Sequence, residues 1–96
     1  MIPKLIRRVA LLLLAVAALP AGAAIKVFAS VPEWAALAKE IGGDRVEVFA
    51  ATSAQQDPHR IEARPSLIAR ARSAQLVVAT GAELEIGWLP LVLRES

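Results

Sequence analysis

The sequence predicts an α/β fold, a parallel sheet assembled in the order β-α-β-α-β-α, and three observations carry that prediction. Three short apolar runs with β-branched residues, at 25–30, 46–50 and 76–80, have the length and composition of strands. Segments with apolar residues at helical spacing follow each of them, within 32–41, 65–72 and 88–94. The third run, LVVAT, is almost continuously apolar, as expected of a strand buried on both faces. Strands alternating with helices imply parallel pairing through crossover connections.

Each element has its own local signal. In the first helix, Ser30 is placed to cap, Pro32 suits the first turn, and Glu33, three residues after Ser30, completes a capping box. Trp34, Leu37, Ala38 and Ile41 then form one apolar stripe, and Gly42-Gly43 supplies the positive φ that ends a helix. Asp44-Arg45 turns the chain into the second strand. Residues 52–60 (TSAQQDPHR) have no apolar periodicity and form a long irregular loop. Pro65 and Ser66 open the second helix, with Leu67, Ile68 and Ala71 facing inward and Arg64, Arg70 and Arg72 outward. Gly81-Ala82 turns out of the third strand. Pro90 must sit in the first turn of the last helix or kink it.

Ninety-six residues leave room for one small domain, and part of the apolar excess (56% hydrophobic) belongs to an export signal. Lys4, Arg7 and Arg8 precede an unbroken apolar run from Val9 to Leu19. Pro20 breaks that run, and Ala21-Gly22-Ala23 gives the small-x-small cleavage pattern. The run is shorter than the ~17–25 residues of a membrane span, which disfavours a retained anchor. Residues 1–23 are therefore expected to leave the mature chain, and residues 24–96 to remain. The signal takes three of the eleven basic residues with it, leaving eight against nine acidic ones and a net charge of −1. That balance excludes a nucleic-acid-binding surface. The absence of cysteine excludes disulfides, thiolate metal sites, cysteine nucleophiles and a lipid-attachment cysteine. Three strands make a thin sheet for so apolar a third strand, so the chain reads as the N-terminal piece of a larger domain.

Ligands of open parallel sheets bind beyond the carboxyl ends of the strands. Three segments reach that edge: Ser30-Val31-Pro32, the 52–60 loop, and Gly81 to Glu85. His59, the only histidine, lies in the middle one, two residues after Asp57 and directly after Pro58. A neutral imidazole is a good ligand for zinc and similar divalent ions, and a nearby carboxylate raises cation affinity. On spacing alone, a single loop histidine is more often solvated than metal-bound, and Asp57 is by default an Asp-Pro turn starter. Glu83 and Glu85 read as solvated carboxylates at a helix start, Trp34 and Trp88 as core anchors, and the arginines as a solvated face. The five serines share one histidine and none sits in a G-x-S-x-G elbow. Gly42-Gly43 lies on the wrong side of a strand to cradle phosphate.

Taken in order, the residues from Phe28 to Leu93 resemble those of the metal-binding solute-binding proteins of bacterial ABC transporters for zinc and manganese. The resemblance runs through Ser30-Val31-Pro32-Glu33-Trp34 and the stretch from Glu40 through Ile41-Gly42-Gly43-Asp44-Arg45 to Val48. It continues with Asp57-Pro58-His59, Glu62, Pro65-Ser66 and Ala74-Gln75-Leu76-Val77-Val78, and ends with Gly81, Glu83-Leu84-Glu85 and Trp88-Leu89. It covers nearly all of the mature chain but only the front of a family member. It implies the N-terminal lobe of a two-lobed periplasmic metal-binding protein, three-layered around a parallel sheet and incomplete here. It also implies Zn²⁺ (or Mn²⁺) as transported ligand, an inner-membrane ABC permease as partner, and a monomer at full length. His59 matches the family's first metal-ligand histidine. Asp57 and Pro58 shape the loop in that reading, and no ligand role comes to Glu85. The remaining ligands are expected beyond Ser96. The histidine-rich loop of some zinc-specific members is absent after the second strand, which leaves zinc against manganese open. Two rivals stand beside this reading: an exported α/β enzyme fragment using His59 as general base, and a truncated product without activity.

Overall fold

The structure, a computed structural model, describes residues 22–96; the basic segment and apolar run of the expected export signal lie outside the described residues. Three strands, β1 (Ile25–Ala29), β2 (Val46–Ala50) and β3 (Leu76–Val78), alternate with three helices, α1 (Pro32–Gly42), α2 (Pro65–Ser73) and α3 (Leu89–Glu95). A single 3-10 turn at Gly43–Arg45 joins α1 to β2. The sheet is parallel throughout, in the order β2-β1-β3. Ile25 to Ala29 stand opposite Val46 to Ala50, and Val27 to Ala29 opposite Leu76 to Val78. The expected α/β alternation is present, and the bounds of β2 are those the sequence indicates.

The alternation of side chains along β1 divides the molecule into three layers. Phe28 enters the main core, where Ala51, Leu67, Ala71, Trp88, Leu89 and Val92 bury around it from the β2 end and from α2 and α3. Phe28 and Phe49 meet at a centroid distance of 5.7 Å, and the guanidinium of Arg70 lies 4.9 Å from the centre of the Phe49 ring. Arg70 is exposed, as the sequence expects, and it also lays its cation over a π face.

On the opposite face, Val27 lines a groove with Trp34, Leu37, Ala38 and Ile41 of α1 and with Leu76 and Val78 of β3. The apolar stripe of α1 is therefore real and faces the sheet, yet none of its residues is buried, and Ile41 remains 78% exposed. The third strand also departs from expectation. It spans three residues, pairs only with β1 among the described residues, and leaves Leu76 51% exposed. The strand flanked on both sides is β1, because the two crossovers place β2 and β3 on either edge of it.

The turn after α1 follows its glycines. Gly43 has φ +53°, and a Cβ on Gly42 would lie 2.5 Å from a Val46 methyl, so the helix closes tightly onto β2. The expected cap at the start of α1 is absent: Val31 occupies the N-cap position, with no side-chain cap, and Ser30 lies one residue too early. Pro32 and Pro90 both fit first turns, as the sequence requires.

Candidate metal-binding site

The carboxyl ends of the three strands converge at Ser30, Ala51-Thr52 and Ala79-Thr80, and main-chain hydrogen bonds continue past the strand ends. Ser30 N donates to Val78 O at 2.9 Å, and Ala51 N to Ala29 O at 2.8 Å. The Thr52 hydroxyl adds a buried hydrogen bond to Ser30 O at 2.8 Å. From this edge the chain leaves into an irregular stretch running to Arg64, which carries His59.

Asp57 organises the turn around that histidine. One of its oxygens, Oδ1, accepts the backbone N–H of His59 at 3.0 Å and lies 2.9 Å from His59 Nδ1. Its backbone carbonyl accepts the N–H of Arg60 at 3.0 Å, closing the turn. The backbone N–H of His59, then the imidazole, and more weakly Arg60 hold the Asp57 carboxyl below its ordinary value. A carboxylate at Nδ1 selects the tautomer that carries its proton there, which leaves the Nε2 lone pair available. The His59 side chain is 61% exposed, and Nε2 has no hydrogen-bond partner among the described residues. The chemistry of the pair is that of an oriented imidazole donor beside a negative charge. Arg60 Nε stands 3.9 Å from the other Asp57 oxygen in an exposed contact that adds little.

Glu85 corrects the sequence reading most strongly. It is 3% exposed, where a solvated carboxylate was expected. Its carboxylate accepts the Ser30 hydroxyl and the backbone N–H groups of Thr80 at 2.7 Å and Gly81 at 2.8 Å. Burial opposes its ionisation, but these donors outweigh burial and hold the carboxyl below its ordinary value. Around it the chain runs through three consecutive residues of positive φ: Gly81 (+74°), Ala82 (+52°) and Glu83 (+70°). Glu83 itself stays exposed. Glu85 is thus a clamp joining the end of β1 to the turn after β3.

The two tryptophans differ. Trp88 is fully buried, as expected of an anchor, and its indole N–H donates to Pro58 O at 2.7 Å. Trp34 is half-buried, and its indole N–H reaches the Thr80 hydroxyl at 2.8 Å, tying α1 to the chain beyond β3. No cluster of three or more histidine, cysteine or acidic side chains able to hold a metal occurs among the described residues. No serine hydroxyl is hydrogen-bonded to His59 among the described residues, and Ser30 is consumed by Glu85. No described helix is long and apolar enough to cross a membrane.

Residues 27–96 match the family model described as zinc-uptake complex component A, periplasmic (ZnuA). None of the curated proteins matches the chain.

Proposed function

The chain belongs to the ZnuA family of periplasmic zinc-uptake components, and on that premise we propose that it captures Zn²⁺ in the periplasm and delivers it to an inner-membrane ABC permease. Periplasmic location would follow export on the N-terminal signal. In this reading the protein forms and breaks only coordination bonds, and His59 contributes one of them through Nε2.

The observation that carries the proposal is the 2.9 Å contact of His59 Nδ1 with Asp57, beside an exposed and unpartnered Nε2. Metal-ligating histidines characteristically donate their other ring N–H to a carboxylate, which fixes the ring and raises its basicity. An imidazole donor suits zinc better than magnesium or calcium, which prefer all-oxygen shells. The family's zinc description favours Zn²⁺ over Mn²⁺ as cargo.

One imidazole is one donor of the four that zinc uses. With a single histidine and no cysteine in the sequence, any further imidazole donor would have to come from outside these residues. This lobe and its neighbour would then close on the ion between them. The test is metal competition on the whole mature polypeptide at neutral pH, with a chromogenic chelator as reporter. One Zn²⁺ bound per chain, displaced poorly by Mn²⁺, is the expected result. Failure to compete with the chelator for Zn²⁺ would overturn the proposal.

A further inference from the structure

The loop that carries His59 is anchored behind it by Ile61 and Ala63, which pack against the core, but the stretch up to Arg60 has little of its own to hold it in place. Between Ser53 and Arg60 its own hydrogen bonds are internal: Gln56 N to Ser53 O, Ser53 N to Gln56 Oε1, Arg60 N to Asp57 O, and the Asp57–His59 pair. Asp57 and His59 are both more than half exposed, so neither is gripped by packing. Among the described residues one hydrogen bond joins this stretch to another element. It is the 2.7 Å bond from Trp88 Nε1 to Pro58 O, the carbonyl immediately before His59.

The donor is rigid. The Trp88 ring is completely buried in the core with Phe28, Leu67 and Val92, so its N–H cannot follow a moving loop. Its backbone is fixed as well: Trp88 N and Leu89 N both donate to Glu85 O, and the Glu85 side chain is held by Ser30 and by the turn after β3. The neighbouring residue closes the approach. A Cβ on Gly87 would stand 3.1 Å from His59 O, tighter than an ordinary contact, so the loop rests directly on backbone.

We propose that Trp88 and Gly87 are positioning residues for metal capture: the indole N–H at Pro58 O and the bare backbone at His59 O fix where His59 presents Nε2. This rests on the reading of His59 as a metal ligand. Neither residue touches the ion. They act by removing the freedom that the loop would otherwise lose on binding, which raises affinity without a further donor atom.

Trp88→Phe keeps an aromatic ring in the core and deletes the N–H. Measured by chelator competition for Zn²⁺ on the whole mature polypeptide, it should weaken binding about tenfold, the scale of losses from outer-shell changes. Gly87→Ala keeps the indole and pushes only on His59 O, and should weaken binding about threefold, by the geometric sensitivity of a preorganised site. Val27→Ala, buried on the opposite face of the sheet from Trp88, should lower the melting temperature and leave zinc affinity unchanged. In a His59→Ala background, Trp88→Phe should have no further effect. If His59→Ala abolishes tight binding while Trp88→Phe and Gly87→Ala stay within twofold of the parent, the positioning role is wrong and the ligand assignment stands. If Trp88→Phe does not fold, Gly87→Ala against the parent decides alone. If His59→Ala binds zinc as the parent does, the ligand assignment itself is wrong and the positioning role falls with it.

Discussion

The carboxylate of Glu85 accepts the hydroxyl of Ser30 across fifty-five residues of sequence, and both groups are buried. That bond joins the end of the central strand to the turn that launches α3. The same carboxylate takes the two backbone N–H groups that a turn of three positive-φ residues would otherwise leave bare. A buried charge is tolerable here because every donor around it points at it.

Glu85→Gln should therefore destabilise the protein by about 1.5–3 kcal/mol at pH 7, the range for hydrogen bonds to a charged acceptor. The pH dependence has a definite sign. The folded-state carboxyl titrates below its ordinary value of 4.5, so its contribution is complete above that value and is lost as pH falls through the lower folded value. Urea unfolding of parent and variant should show a gap that is constant from pH 7 to about pH 5 and narrows in more acidic solution. A gap that widens on acidification would contradict the hydrogen-bonded carboxylate.

Ala82 carries a Cβ at φ +52°, between Gly81 and Glu83, both also at positive φ. A left-handed conformation costs a non-glycine residue about 1–2 kcal/mol, part of which glycine returns through its greater freedom in the unfolded chain. Ala82→Gly should raise stability by about 0.5–1 kcal/mol, read as a higher urea midpoint at unchanged slope. No gain would mean that the turn relaxes away from this geometry in solution.

How much of this was legible in the sequence depended on whether the signal was local. The alternation of elements, the β2 boundaries, the Gly43 turn and the first-turn prolines each follow from a few adjacent residues, and each is observed. Neighbouring residues suggest a capping box for Ser30 and a solvated helix start for Glu85, and neither is what the structure holds. Each is decided by the other, the end of β1 meeting the turn after β3, and no spacing rule connects them. Trp88 is the core anchor that its sequence context suggests, but its bond to Pro58 depends on how α3 packs under the loop. The open groove beside Ile41 and Leu76 escaped for a related reason, since periodicity marks an apolar face without saying what covers it. In the site itself, Asp57-Pro58-His59 was visible as a motif, and the sharing of one Asp57 oxygen between backbone and imidazole was not.

Asp57→Asn retains an oxygen for the His59 backbone N–H but removes the charge beside Nδ1. Zinc affinity should fall about tenfold, at the lower end of the usual losses for the carboxylate partner of a metal-bound histidine. The melting temperature should change little, because the pair is exposed. Calorimetric titration with Zn²⁺ checks the first expectation and thermal unfolding the second.

The most direct test of the account is Zn²⁺ calorimetry on the whole mature polypeptide and on its His59→Ala variant, under identical buffer and pH. Loss of one coordinating imidazole should weaken binding at least a hundredfold, by the scale of zinc coordination energies, with the fold intact by circular dichroism. An affinity and stoichiometry equal to the parent's would contradict the assignment of His59 as a metal ligand.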